Sequence, residues 1–111
     1  MAVRQLPKEK ATKDRAIILS EFGGFLMPIP NHMQKGKRTY RSFSSYESWL
    51  NQYKKSIELD VLKNIPLGLS AIIYTQLSDV EDELNGFVTY DRQIVKVDKE
   101  VIKLLNDGVR F

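Results

Sequence analysis

Cysteine is absent from the chain, which excludes disulfides, thiolate metal sites and a cysteine nucleophile. That fits a reducing compartment, and the cytoplasm is the expected location for the chain as it stands. Histidine occurs once, as His32; with no cysteine or second histidine beside it, a transition metal is poorly served and a loop hydrogen bond is its expected role. Apolar runs extend only a few residues, far short of the roughly 20 needed to span a bilayer, so no membrane partner is expected. No charged-then-apolar leader stands at the start, where Met1, Ala2, Val3 and Arg4 run at once into polar sequence. Charge of one sign is scarce too: 17 Lys+Arg against 14 Asp+Glu leave +3, too mild to imply nucleic acid by itself.

What is present is globular in kind. The 111 residues are 42% hydrophobic and 28% charged, enough for one domain of modest size. Residues 1–15 are polar and suit an exposed lead-in. Residues 16–19, Ala-Ile-Ile-Leu, form a continuous apolar run of the kind found in strands covered on both faces. Ser20, Glu21 and the pair Gly23 and Gly24 close it. Across residues 25–43 no period holds, and Pro28, Pro30 and Gly36 predict an irregular loop. Such length favours either a functional loop or a disordered one.

Ser44 and Glu47 then match the S-x-x-E capping box. Tyr46, Trp49, Leu50, Tyr53, Ile57, Val61 and Leu62 follow at spacings of three and four, an apolar stripe on a helix of about five turns. The stripe reads as core. Pro66 and Gly68 are expected to stop the helix. Residues 69–74 make a second apolar run, ended by Thr75 and Gln76. An acidic loop follows, residues 86–90 suit a short extended piece, and Asp98 can cap a last helix with Val101, Ile102, Leu104 and Leu105 inward and Gly108 at its end. The order is strand, loop, helix, strand, loop, helix, which predicts an α/β chain of βαβα form with parallel strands. Two parallel strands do not make a stable sheet, so the chain is expected to be incomplete on its own.

Three polar clusters invite functional readings. On spacing alone, Glu21 is a strand-end charge meeting solvent. Asp79, Glu81, Asp82 and Glu83 suggest a hard cation but lack EF-hand spacing, so a solvated loop without metal is expected. Lys35, Lys37, Arg38 and Arg41 surround Tyr40 in a pattern able to meet phosphates and stack on a base. An exposed loop is the ordinary meaning of such a cluster, and nucleic acid is not the expected partner.

Two longer segments carry a resemblance. "ILSEFGGF" resembles the seventh-strand motif of glycoside hydrolase family 2, the β-galactosidase and β-glucuronidase family. "GLSAIIYTQLSDVEDELNGFVTYDRQIVKVD" is similar to the eighth-strand segment of its bacterial members, and together they cover roughly residues 15–106. The resemblance implies the last two βα units of a (β/α)8 barrel, where active sites lie at the C-terminal ends of the strands. It makes Glu21 the nucleophile of retaining hydrolysis, acting on a carbohydrate substrate with no cofactor and a second carboxylate about 5–5.5 Å away. Strand alternation is expected to place Glu21 on the side of Ile17 and Leu19. Tyr74 stands where the family often places a subsite tryptophan, and Gln76 shares its parity and could bond a sugar hydroxyl. The acid/base of the family belongs to an Asn-Glu pair, and this sequence contains no Asn-Glu. The expected partners are therefore the remainder of a barrel, or a second copy meeting the exposed strands. The other reading is a small non-catalytic α/β module used for self-association or ligand binding.

Overall fold

A computed structural model describes residues 15–34 and 42–111. Strand β1 spans Ile17–Gly23, helix α1 Tyr46–Ser56, strand β2 Leu69–Thr75 and helix α2 Lys99–Asp107. Strands β1 and β2 pair in parallel, as the βαβ order requires. Helix α1 continues without a break through a π-helical turn, Ile57–Val61, and a 3-10 stretch, Leu62–Leu67. Pro66 therefore sits inside the helical run instead of ending it, and Gly68 ends it with φ of 110°, a conformation open to glycine at no steric cost.

The helix begins one residue later than the capping box predicts. Ser45, not Ser44, is the cap, and its hydroxyl accepts the Ser48 N–H at 3.2 Å. Two adjacent serines compete for the role, and tertiary contact separates them. Tyr46 stacks on Trp49 at 6.2 Å and its hydroxyl takes the backbone N–H of Asp98 at 3.1 Å. That fixes Tyr46 as the first residue of the helix. Asp98 caps α2 as expected, accepting from the N–H groups of Glu100 and Val101. Leu104, expected inside, is 74% exposed while Ile102 is buried. Two residues along a helix turn it by about 200°, so the pair cannot share a face.

Packing on the helix side of the sheet is aromatic. Phe22, Phe25, Trp49 and Tyr53 are all buried there, and Tyr74 stacks on Phe87 at 4.1 Å with 9° between the rings. The buried Trp49 indole N–H donates to the Phe25 carbonyl at 3.2 Å, so the largest core residue also pins the loop that follows β1. Aromatic pairs of this kind add about 0.5–1.5 kcal/mol each beyond the area they bury. The other face of the sheet is open: Ile18 is 53% and Ile73 56% exposed. Nothing among the described residues covers it.

Register explains which side chains reach the core. The pairs run Ile17 with Leu69, Leu19 with Ile72, Phe22 with Tyr74 and Gly23 with Thr75. Between Leu19 and Phe22, β1 carries one residue more than β2, a bulge that interrupts alternation. Leu19 and Phe22 consequently both pack on the helix-side core, whereas Ser20 and Glu21 are exposed. Ile17, Leu19 and Glu21 nevertheless line one cleft along β1, Ile17 and Leu19 half-buried against the core and Glu21 exposed.

One ion pair holds the loops at the C-terminal ends of the strands. Lys96 donates to Asp79 Oδ1 at 2.7 Å and to the carbonyls of Met27 at 2.8 Å and Leu84 at 3.1 Å. Its three N–H bonds are all used. Asp79 Oδ1 also takes the Gly86 N–H at 2.8 Å, and a Cβ at Gly86 would meet Ser78 and Asp79 backbone at 2.4 Å. Both charged side chains are withdrawn from water. Burial pulls the Lys96 pKa down, and the Asp79 carboxylate opposes that pull. Lys96→Met should cost about 3–5 kcal/mol because it strands a buried carboxylate, whereas Lys96→Met with Asp79→Leu should recover part of that loss. Urea unfolding of the two variants checks this, and equal stability of single and double would contradict it.

Candidate functional site

Glu21 stands at the C-terminal end of β1, where the chain leaves the sheet through two glycines. Gly23 and Gly24 have φ of 104° and 75°, left-handed values that other residues adopt only with strain. The Gly24 N–H bonds the Thr75 carbonyl at 3.0 Å, so the two strand ends leave the sheet together. A Cβ at Gly23 would lie 2.5 Å from the Tyr74 ring. The glycine pair is needed for both the turn and the close approach.

A cleft of ≈ 530 Å³ runs along β1. At the C-terminal end of the strands, Glu21, Gly24, Thr75, Glu83 and Asn85 line it; at the other end Asp60, Asn64 and Leu69 do. Glu21 is exposed. Gln76 is not among the lining residues but supports them, donating from Nε2 to Asn85 Oδ1 at 2.8 Å and to Glu83 Oε2 at 3.3 Å. Tyr74 is placed differently from the expectation for a subsite aromatic. Its ring lies among Phe22, Tyr53 and Phe87 on the helix side, and its hydroxyl donates to the Asn85 carbonyl at 3.4 Å. Burial raises the Tyr74 pKa, with Tyr53 and Asp79 adding to the rise. Burial likewise lifts Tyr53 to about 12, partly offset by its hydrogen bond to Asn106. Both phenols are neutral structural groups.

The remaining sequence candidates fall into place around this end. Asp79 leaves the acidic run to form the buried pair with Lys96, a correction to the expected solvated loop, while Glu81, Asp82 and Glu83 are exposed as that reading has it. Among the described residues no group of three or more histidines and carboxylates is placed to hold a metal ion. Lys35, Lys37, Arg38, Tyr40 and Arg41 lie outside the described residues. Among the described residues no helix is long and apolar enough to cross a membrane.

Sequence reasoning passed over Lys96 and Asp91. Lys96 sits in Ile-Val-Lys-Val-Asp, where alternation suggests an outward lysine, yet it is buried and Val95 is exposed. Asp91 binds His32 Nδ1 at 2.7 Å, joining the loop after β1 to the segment before α2. It also accepts from the Thr89 hydroxyl at 2.6 Å and the Gln93 N–H at 3.1 Å. These bonds, Thr89 first, lower its pKa from 3.8 to about 2. The Thr-Tyr-Asp-Arg order was the available signal, since Thr and Asp two apart commonly close a turn.

No family model and no curated protein sequence matches the chain.

A carboxylate with a lowered folded pKa stabilises the fold above its unfolded pKa, and that contribution disappears as pH falls through the folded value. The melting temperature of the protein should therefore drop between pH 4 and pH 2, a window set by 3.8 and about 2. Asp91→Asn should flatten the drop. A variant whose acid profile overlays the parent would contradict this role for Asp91.

Proposed function

We propose that the chain is the C-terminal part of a retaining glycoside hydrolase of the (β/α)8 type and that Glu21 is its nucleophile. One observation carries this reading: an exposed carboxylate near the C-terminal end of a parallel strand, two residues before the Gly23 that pairs with Thr75, lining a cleft. Barrel enzymes place their chemistry at that end of the strands, and the two segments similar to family 2 fall on β1 and β2.

The chemistry follows from the carboxylate. Glu21 attacks the anomeric carbon as the glycosidic C–O bond breaks, and a second carboxylic acid gives its proton to the departing oxygen. Water then attacks the same carbon, returns a proton to that second group and frees Glu21. The bulge between Leu19 and Phe22 serves the first step, because it sends Glu21 to the cleft while Phe22 anchors the strand end in the core. Asn85, held by Gln76, offers its amide N–H groups to a sugar hydroxyl. Tyr74 acts from behind, packing against Gly23 and bonding the Asn85 carbonyl. Glu83 is a second carboxylate on the cleft but is engaged by Gln76. The acid of the family comes from an Asn-Glu pair outside this sequence. The chain alone turns over no glycoside.

In a barrel the open face bearing Ile18 and Ile73 would look into the interior, filled by side chains of further strands added at the free edges of β1 and β2. Lacking them, the isolated chain should self-associate, and sedimentation giving a compact monomer with a sharp cooperative melt would count for the non-catalytic module instead. In an intact barrel containing this chain, Glu21→Gln should lower turnover of an aryl glycoside by about a thousandfold or more. Near-parental turnover in the variant would remove Glu21 from the nucleophile role.

A further inference from the structure

Polarity at the Glu21 end of the cleft is set by one side-chain amide. Gln76 Nε2 stands 3.3 Å from Glu83 Oε2 and 2.8 Å from Asn85 Oδ1. An ionised carboxylate only accepts, so the Gln76 atom facing Glu83 is its nitrogen. That nitrogen has only hydrogens to offer, so the Asn85 atom facing it is the carbonyl oxygen. The NH2 of Asn85 is therefore turned away from Gln76. Asn85 is 8% exposed and lines the cleft, as Glu83 does. Its Nδ2 has no hydrogen bond among the described residues, yet it is not sealed from solvent as Asp60 Oδ1 and Asp79 Oδ2 are. The small surface that Asn85 keeps thus holds an unspent donor.

The backbone beneath these groups is held on every side. The Leu84 carbonyl accepts from Lys96 at 3.1 Å and from the Met27 N–H at 2.8 Å, and the Gly86 N–H donates to Asp79 at 2.8 Å. Glu83 exchanges two backbone hydrogen bonds with Val80, at 2.8 and 3.2 Å. Gln76 takes its Oε2, and the exposed carboxylate keeps Oε1 for a donor from outside. A donor and an acceptor are thus presented side by side on a fixed shelf. Acceptors on the two hydrogens of one amide lie roughly 5 Å apart. That spacing suits two hydroxyls on adjacent carbons, one accepting from Asn85 Nδ2 and the other donating to Glu83 Oε1. A ligand carboxylate or phosphate would meet Asn85 but be repelled by Glu83. An ammonium would meet Glu83 and leave the Asn85 donor unused.

We propose that Asn85 and Glu83 form a subsite for a vicinal diol of a neutral sugar, and that Gln76 is a positioning residue that aligns both without touching the ligand. This rests on the reading of the cleft as a carbohydrate site, and not on Glu21 being the nucleophile. The test is a ligand-observed NMR titration of the chain, a measurement that tolerates self-association. The probes are cis- and trans-1,2-cyclohexanediol, trans-1,4-cyclohexanediol and cyclohexanol. At least one 1,2-diol should bind saturably, with the 1,4-diol and cyclohexanol weaker by about tenfold or more. Glu83→Ala changes an exposed side chain and should lower the 1,2-diol to the level of cyclohexanol. Gln76→Leu, checked for retained helix content, should erase the preference for the 1,2-diol over the 1,4-diol, which a merely structural role would leave in place. If that variant does not fold, Glu83→Ala decides. No saturable binding of either 1,2-diol, equal binding of cyclohexanol, or unchanged 1,2-diol binding in Glu83→Ala would overturn the proposal. Glycoside turnover that survives Glu21→Gln in an intact barrel would instead strike the nucleophile and leave this subsite standing.

Discussion

The ammonium of Lys96 is the point through which the loops at the strand ends are joined. It reaches Met27 in the segment after β1 and Asp79 and Leu84 in the segment after β2. Taking two charges out of water costs several kcal/mol per ion, and close, well-bonded geometry is needed to offset that cost. Here all three ammonium hydrogens are used and Asp79 Oδ1 takes a backbone N–H as well, while Asp79 Oδ2 is buried without a hydrogen bond. Because the penalty is so large, a loop arrangement that separates the ammonium from these acceptors is strongly disfavoured. Irregular backbone, with no ladder to fix it, gains one conformation in this way. Met27 lies two residues from Phe25, whose carbonyl holds Trp49. Leu84 adjoins Asn85, which lines the cleft.

A sheet of two strands then separates two environments. On the helix side the rings of Phe22, Tyr53, Tyr74 and Phe87 pack edge to face and in stacks. On the other side Ile18 and Ile73 face outward. The bulge in β1 assigns Phe22 to the first environment and Glu21 to solvent and the cleft. Local backbone irregularity therefore sets the exposure of the carboxylate on which the functional proposal turns. The same sheet buries Phe22 and Leu69 on its aromatic side and leaves Ile18 and Ile73 exposed.

Much of this was legible where the signal is local. Continuous apolar runs marked both strands, although the covering of both faces that such runs suggest is found on the helix side only, with Ile18 and Ile73 exposed. Asp98 was identifiable because one side chain and two backbone N–H groups suffice to make a cap. Elements decided by distant contacts were harder to place. Ser44 and Ser45 differ as caps only through the contacts of Tyr46 with Trp49 and Asp98. Leu104 was drawn inward by its hydrophobicity, although helical rotation carries it out. Alternation could not foresee the bulge after Leu19, which leaves Ser20 and Glu21 both exposed, although the place of Glu21 at the C-terminal end of the strand was legible. Lys96 gave the least warning, since a lysine between valines looks like an outward residue until Asp79, seventeen positions earlier in sequence, is brought against it.

The most direct test of the central claim is chemical. An intact barrel containing this chain, treated with a 2-deoxy-2-fluoro glycosyl fluoride, should form a stable glycosyl ester, because the fluorine slows hydrolysis of the covalent intermediate and fluoride leaves without acid assistance. Mass spectrometry of the digested protein should find one sugar on the peptide containing Glu21, and no label in Glu21→Gln. A label on a different carboxylate, or inactivation with Glu21 unmodified, would contradict the account.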